Sequence, residues 1–428
     1  MASMSNRGTW GRKRAGAAVA LVGLSLVFFA GCGSDNGRNE LTWFIAIQPG
    51  GSIQKIAETC SKESGGKYDI NLELLPSDAS QQREQLVRRL GAEDSSIDII
   101  GMDVVWTAEF ANAGWIEPWQ GADARQVTKN VFPPVVESAT FEKKLYGAPL
   151  SSNTQLLWYR KDLVPEVPKT WDEMIDMAEK IGGGKGGKIQ VQGSRYEGYT
   201  AWVNAMIESA GTRVLSGPDE VDLAQSPTEA GIKPIGRLAR SSAAPANLST
   251  SDEDSARLGF ESGSAFMVNY TFAYGSAKEN APDVAKQMGA ARYPGIDADK
   301  ESKPPLGGFN LAVSEYSEKP ELARQAIKCL TSPKQQLVVT ELDGLSPPRA
   351  NLYTDPVVKK AFPGFSQLIK NSIETAGPRP VTPAYQDVSL AIQSALHPPD
   401  SIDPDDISAA YEKLKDYVER GVKRKGLL

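Results

Sequence analysis

Histidine is nearly absent from this chain: its 428 residues hold one, His397, in Leu396-His397-Pro398-Pro399. A Ser-His-Asp triad would have only that ring as its base, and zinc sites usually draw on more than one Cys or His. The prolines around it suggest a surface loop. Cysteine is scarce too, three in all, so the chain is no disulfide scaffold. Basic residues are in deficit, 47 Lys and Arg against 53 Asp and Glu, and an acidic balance argues against nucleic acid as a partner. No internal repeat is visible. One run imitates a nucleotide loop, Gly182-Gly183-Gly184-Lys185-Gly186-Gly187-Lys188, but Ile189 stands where that loop needs Ser or Thr. The run also follows a predicted helix and precedes a strand, the reverse of the required order. No nucleotide, metal or other cofactor is expected.

What is present begins with a leader. Arg7, Arg12, Lys13 and Arg14 precede an apolar run over 15–30, ending in Phe29-Ala30-Gly31-Cys32. That is the layout of an export signal, and it falls short of the about 20 apolar residues of a membrane span. The end of the run resembles a bacterial lipobox, with Phe29 where Leu is usual. Residues 1–31 are therefore expected to be removed and Cys32 to be lipidated; an uncleaved anchor or an ordinary cleavage site are the alternatives. Removal leaves 43 basic against 53 acidic side chains, a balance of −10. Residues 32–40 then form the lipidated Cys and a polar tether. Of the other cysteines, Cys60 and Cys329 can pair in an exported chain or remain buried thiols.

From there strands and helices alternate. Strands are predicted over 41–47, 68–74 and 97–102, with helices over 52–64 and 79–90 between them. Tyr68, Ile70, Leu72 and Leu74 share one face of the second strand. This is the pattern of a parallel sheet with right-handed crossovers. Ligands of such sheets bind beyond the carboxyl ends of the strands, near Gln48, Asp78, Gln82 and Asp103. Leu156-Leu157-Trp158-Tyr159 reads as a buried strand after the break at Gly147 and Pro149. Thr170-Trp171-Asp172-Glu173 is a capping box opening a helix to 181. Further helices are predicted over 199–210, 228–240, 277–287, 318–330, 355–361, 364–374 and 384–396. The stretch 260–270 reads as a helix end, a Gly turn and a strand arriving at Asn269 and Tyr270, and a further strand is predicted over 309–313. Asp403 is the expected cap of the last helix, with Ile407, Tyr411, Leu414 and Val418 as its apolar stripe.

These landmarks resemble the extracellular solute-binding proteins of family 1, the carbohydrate-binding subunits of ABC importers. The likeness rests on the lipobox, on Gly114-Trp115-Ile116-Glu117-Pro118-Trp119, on Tyr146-Gly147-Ala148-Pro149 through Leu163, on Pro168 through Glu173, and on Gly307-Gly308. It implies an α/β, two-lobe periplasmic-binding-protein-like fold with strand crossovers and an interlobe ligand cleft. The expected lobes are 41–150 plus 306–349 and 151–305 plus 350–428. It further implies a disaccharide ligand, with trehalose the first choice, ABC permease subunits as partners, a lipid anchor at the outer face of the cytoplasmic membrane, no catalysis and a monomer.

A sugar presents hydroxyls and apolar ring faces, so its site needs carboxylates, amides and aromatic surfaces. Asp103 and Asn153 are the first candidates, then Gln48 and Gln82. Asn269, Tyr270 and Trp202 are expected from the second lobe, the last two as stacking surfaces. Gly308 would let the backbone approach the ligand, with Phe309 beside it; Glu261 and Arg379 complete the set. Each has a plainer alternative: a helix cap for Asp103, a turn residue for Asn153, core for Trp202, a solvated charge for Glu261 and Arg379. Two other functions compete. A glycoside-cleaving enzyme would need two carboxylates such as Asp103 and Glu261 across one bond. A binding protein for a non-sugar solute such as a polyamine would need several acids with aromatics.

Overall fold

A computed structural model describes residues 39–76, 78–182, 184 and 186–424. The expected leader, Cys32 and most of the tether lie outside the described residues.

The strands are β1 (Asn39–Ala46), β2 (Tyr68–Leu75), β3 (Ile99–Asp103), β4 (Thr140–Phe141), β5 (Lys144–Leu145), β6 (Ala148–Arg160), β7 (Ile189–Gln190), β8 (Phe266–Tyr270), β9 (Met288–Ala291) and β10 (Leu306–Val313). Apart from the β4–β5 hairpin they form one hydrogen-bonded path, β2-β1-β3-β10-β6-β8-β7, with β9 on β6. β1 lies parallel between β2 and β3, as strand–helix–strand connections require. β10 runs antiparallel to β3 and to the start of β6. β6 is 13 residues long; Ala148 to Thr154 pair with β10, and Gln155 to Tyr159 pair with β8. One strand thus passes from one α/β lobe into the other, and Leu156, Leu157 and Trp158 are fully buried, as a strand covered on both faces must be.

Period-two alternation splits each lobe's core into two layers. Trp43 and Ile45 pack on Ile53, Ile56, Ala326 and Ile327, while Phe44 between them faces Leu86, Leu90 and Phe110. In the second lobe Leu157 joins Trp171, Trp202, Met206 and Leu414, while Leu156 and Trp158 pack on Phe362, Phe365 and Ile369. Each such buried side chain contributes roughly 1.5–3 kcal/mol. Cys60 and Cys329 are joined as a disulfide between the helices Ser52–Glu63 and Pro320–Leu330.

Several expectations shift. Leu74 is 44% exposed and Leu75 is buried instead: β2 is an edge strand, and its last residues turn to the helix Ala79–Leu90 on the opposite face. The helix expected over 277–287 is two, Phe272–Asn280 and Pro282–Gln287, because Pro282 cannot continue the first. The helix expected from 199 starts at Glu197. The last one starts at Ile407 rather than next to Asp403, whose carboxylate accepts from Asp405 N instead. In the capping box Thr170 accepts from Glu173 N, but Glu173 reaches back to Lys169 N, one residue further. The helix Pro333–Asp343 was not foreseen. His397 is half-buried, its Nε2 3.2 Å from the Ser249 carbonyl and its ring edge-on to Tyr199.

Candidate functional site

A cavity of about 590 Å³ opens where β6 and β10 pass between the lobes. Its first wall is set by the sheet. Asp103 ends β3 and lies opposite Phe309 in the β3–β10 ladder. Gly308 has φ +132, and a Cβ there would come within 2.3 Å of the Ser151 carbonyl, so only glycine lets β10 run this close to β6. Asp78 caps the helix Ala79–Leu90 through Gln81 N, 2.9 Å away. Asp78 also lines the same cavity.

The second wall comes from two helix starts and the end of β8. Tyr196 and Glu197 open the helix Glu197–Ala210; Asp252, Glu253 and Asp254 open the helix Glu253–Glu261. Asp252 caps the latter through Ser255 N, 2.8 Å away. The two starts are tied together by Tyr196, whose hydroxyl donates to Glu253 over 2.6 Å. Burial raises the Glu253 carboxyl, and the Tyr196 bond opposes that without reversing it. Burial also pushes the Tyr196 and Tyr270 hydroxyls up, so both are donors at neutral pH.

Of the residues singled out from sequence, Asp103, Asn153, Tyr270, Gly308, Phe309 and Arg379 line this cavity. Asn153 accepts from Thr154 N over 3.0 Å and from Thr271 Oγ1 over 3.4 Å through its Oδ1, leaving its amide NH₂ for a ligand. Asp103 Oδ1 accepts from Val105 N and from Arg379, each over 3.2 Å, leaving Oδ2 open. Arg379 is buried and also donates to Glu197 and to the Leu306 carbonyl. Burial works against its charge, but Tyr385, Asp103 and Glu197 outweigh that and keep the guanidinium protonated.

The others lie elsewhere. Trp202 is wholly buried, its ring 5.5 Å from Trp171 and 5.9 Å from Tyr199, so it is core and offers no stacking surface. Glu261 takes two bonds from Arg257 one helical turn back and is spent in that pair. Asn269 is buried; its Nδ2 donates to the Glu253 carbonyl over 2.9 Å, so it holds a cavity residue without reaching the cavity. Gln48 and the buried Gln82 are not part of the lining. Sequence reasoning missed Ser194, Tyr196, Glu197 and the run 252–254. The one local signal was Asp252 with Ser255 three residues on, a helix cap.

Six carboxylates line the cavity, those of Asp78, Asp103, Glu197, Asp252, Glu253 and Asp254, against the single guanidinium of Arg379. Asp103 Oδ2 and Glu253 offer acceptors, and Asn153 and Tyr270 offer donors. Tyr270 and Phe309 supply apolar faces. Such a set suits a ligand dense in hydroxyls. Among the described residues no group of His, Cys, Asp or Glu is arranged to hold a metal ion, and no helix is long and apolar enough to cross a membrane. At the far end of the helix Glu197–Ala210, burial pushes Glu208 up to about 7; Arg213 and Lys303 pull it down and Glu137 pushes it further up. Its Oε2 sits 2.4 Å from where a Cβ on Gly377 would be.

Paired α/β lobes joined by crossing strands, with a polar cavity at the crossing, define a two-lobe binding protein. The chain belongs to the bacterial extracellular solute-binding proteins, whose family pattern matches residues 47–337. It is 30% identical over 407 residues to a probable ABC transporter-binding protein of Deinococcus radiodurans, covering 89% of this chain and 92% of that one. It is 26% identical over 322 residues to a maltotriose-binding protein of Pyrococcus abyssi, covering 72% of this chain and 67% of that one. Among solved structures it is similar to maltose-bound MalE3 of T. maritima, with a TM-score of 0.78 at 25% identity over 90% of this chain and 99% of that one.

Proposed function

We propose that this chain is the binding subunit of an ABC sugar importer and holds a disaccharide, trehalose, between lobes 41–150 plus 306–349 and 151–305 plus 350–428. Cys32 carries a lipid that anchors it to the outer face of the cytoplasmic membrane, and as a monomer it delivers the sugar to the permease. The observation that carries the sugar is the cavity at the strand crossing, where open carboxylate oxygens, an amide and two aromatic faces converge. Family membership supports the transport role. The choice of trehalose rests on the likeness of the chain as a whole to the mycobacterial trehalose-binding lipoprotein LpqY. Asp103, Asn153, Tyr270, Gly308 and Phe309 contact the ligand, and the lobes close on it as a hinge. Micromolar affinity, about −8 kcal/mol, takes several such contacts. The chain does no chemistry on the sugar, a reading that family membership supports; Glu261, one carboxylate a glycosidase reading would use, is held by Arg257.

The six-to-one excess of carboxylates favours a second reading, a polyamine. Calorimetric titration with trehalose, maltose, sucrose, glucose and spermidine separates the two. Saturable heat with trehalose and weak or no heat with maltose is the expected result. Heat with spermidine alone would overturn the sugar assignment.

A further inference from the structure

Arg379 sits where three parts of the chain meet. Asp103 arrives from β3, Leu306 from the start of the crossing strand β10, and Glu197 from the first turn of the helix Glu197–Ala210. We propose that Arg379 is the charge that allows the two lobes to close, by pairing Asp103 of the first lobe with Glu197 of the second, and that it acts on the ligand through Asp103. The inference rests on the lobe boundaries and cleft proposed above.

The carboxylates are used unequally. Glu197 Oε1 accepts from Arg379 and from the Tyr385 hydroxyl, and its Oε2 from Ser389 Oγ over 2.7 Å. Both its oxygens are therefore engaged within the protein. Asp103 gives Arg379 only Oδ1, and Oδ2 remains for the ligand. Arg379 is delivered with little freedom. Pro378 fixes the backbone ahead of it, and Pro380 restricts Arg379 itself to extended conformations. Gly377 N donates to the Pro304 carbonyl over 2.9 Å, pinning this strap to the crossing. Its side chain is 4% exposed, so water cannot replace a lost partner. If the lobes part, the bond to Glu197 stays within one lobe, while the bonds to Asp103 and to the Leu306 carbonyl, which cross the proposed boundary, break. Without the cation, closure would bring two carboxylates together with nothing between them, which is unfavourable for both.

The test places spin labels at Arg88 and Lys286, exposed sites on opposite lobes, and measures their separation with and without trehalose in the full chain. Arg379→Met keeps the bulk and removes the charge. It is expected to lengthen the ligand-free separation and to weaken trehalose binding at least about thirtyfold at pH 8. Adding Glu197→Gln to Arg379→Met restores the short separation at pH 8. Arg379→Lys, which retains a cation, keeps the wild-type separation. Wild-type separation in Arg379→Met, together with a loss of affinity, overturns the proposal and makes Arg379 a direct ligand contact. Opening in Arg379→Lys as wide as in Arg379→Met also overturns it. If the wild type binds no trehalose, the functional reading fails, while the ligand-free separations still decide the role of Arg379.

Discussion

The two walls of the cavity are held in place by different forces. On the first wall Asp103, Gly308 and Phe309 belong to strands β3 and β10, and ladder hydrogen bonds fix their positions. On the second wall Tyr196, Glu197 and Glu253 stand at helix starts. Side-chain bonds hold them there: Tyr196 to Glu253, Asn269 to the Glu253 carbonyl, and Tyr385 and Ser389 to Glu197. A wall built from main chain tolerates loss of a side chain locally. A wall built from side-chain bonds passes such a loss to its neighbours, because an abandoned buried partner costs about 1–3 kcal/mol.

The largest expected effect tests whether the second wall rests on its core. Trp202→Ala removes the indole packed against Trp171 and Tyr199, and should lower stability by about 3–5 kcal/mol, read from the denaturant midpoint. At temperatures where the variant is folded, trehalose affinity should stay within a few-fold of wild type; a large loss would return Trp202 to the site.

Next is Glu208, on the helix that carries Glu197. Its folded pKa of about 7 lies above its ordinary 4.5, so the folded state holds the proton longer. Stability from this group is therefore present below about pH 4.5 and is lost as pH rises through about 7. Glu208→Gln should raise stability at pH 8 by up to about 3 kcal/mol and change little at pH 4. Equal melting midpoints at pH 8 would show that the group ionises freely.

A smaller effect compares the walls directly. Asp103→Ala should weaken trehalose binding at least about tenfold, close to 1.4 kcal/mol, and leave the fold intact. Asn269→Ala, with no ligand contact of its own, should weaken it comparably and also destabilise the chain by about 1–3 kcal/mol. If Asn269→Ala binds as wild type does, the second wall does not depend on its side-chain bonds. Smallest is Asp78→Ala, which removes a helix cap worth about 1 kcal/mol; unchanged thermal unfolding would mean that water replaces it.

This division also explains what the sequence made legible. The first wall follows local rules: a strand ends, a polar residue follows, and a pair of glycines marks a close backbone approach. Asp103, Asn153, Gly308 and Phe309 were found that way, and β1, β2 and β3 by apolar pattern; of β6 only 156–159 was legible, because Pro149, read as a break, lies inside the strand that starts at Ala148. The second wall joins Tyr196 to a carboxylate 57 residues away and Glu197 to a hydroxyl 188 residues away, and no local pattern encodes such distances. Trp202 was misjudged for a related reason, since an aromatic on a helix fits a stacking surface and a core equally well until its neighbours are known. Glu261 looked available because its partner, Arg257, is an ordinary turn-to-turn neighbour on the helix.

The link between Cys60 and Cys329 spans 269 residues, and every strand from β2 to β10 lies inside the circuit it closes. An extracellular protease that cut the chain once anywhere within this circuit would therefore release nothing. The two pieces would stay joined through sulfur and, where the cut falls in a surface loop, could keep their shared sheet. Such a nicked molecule would run as one species on a gel without reductant and as two with it, and the two pieces would never drift apart.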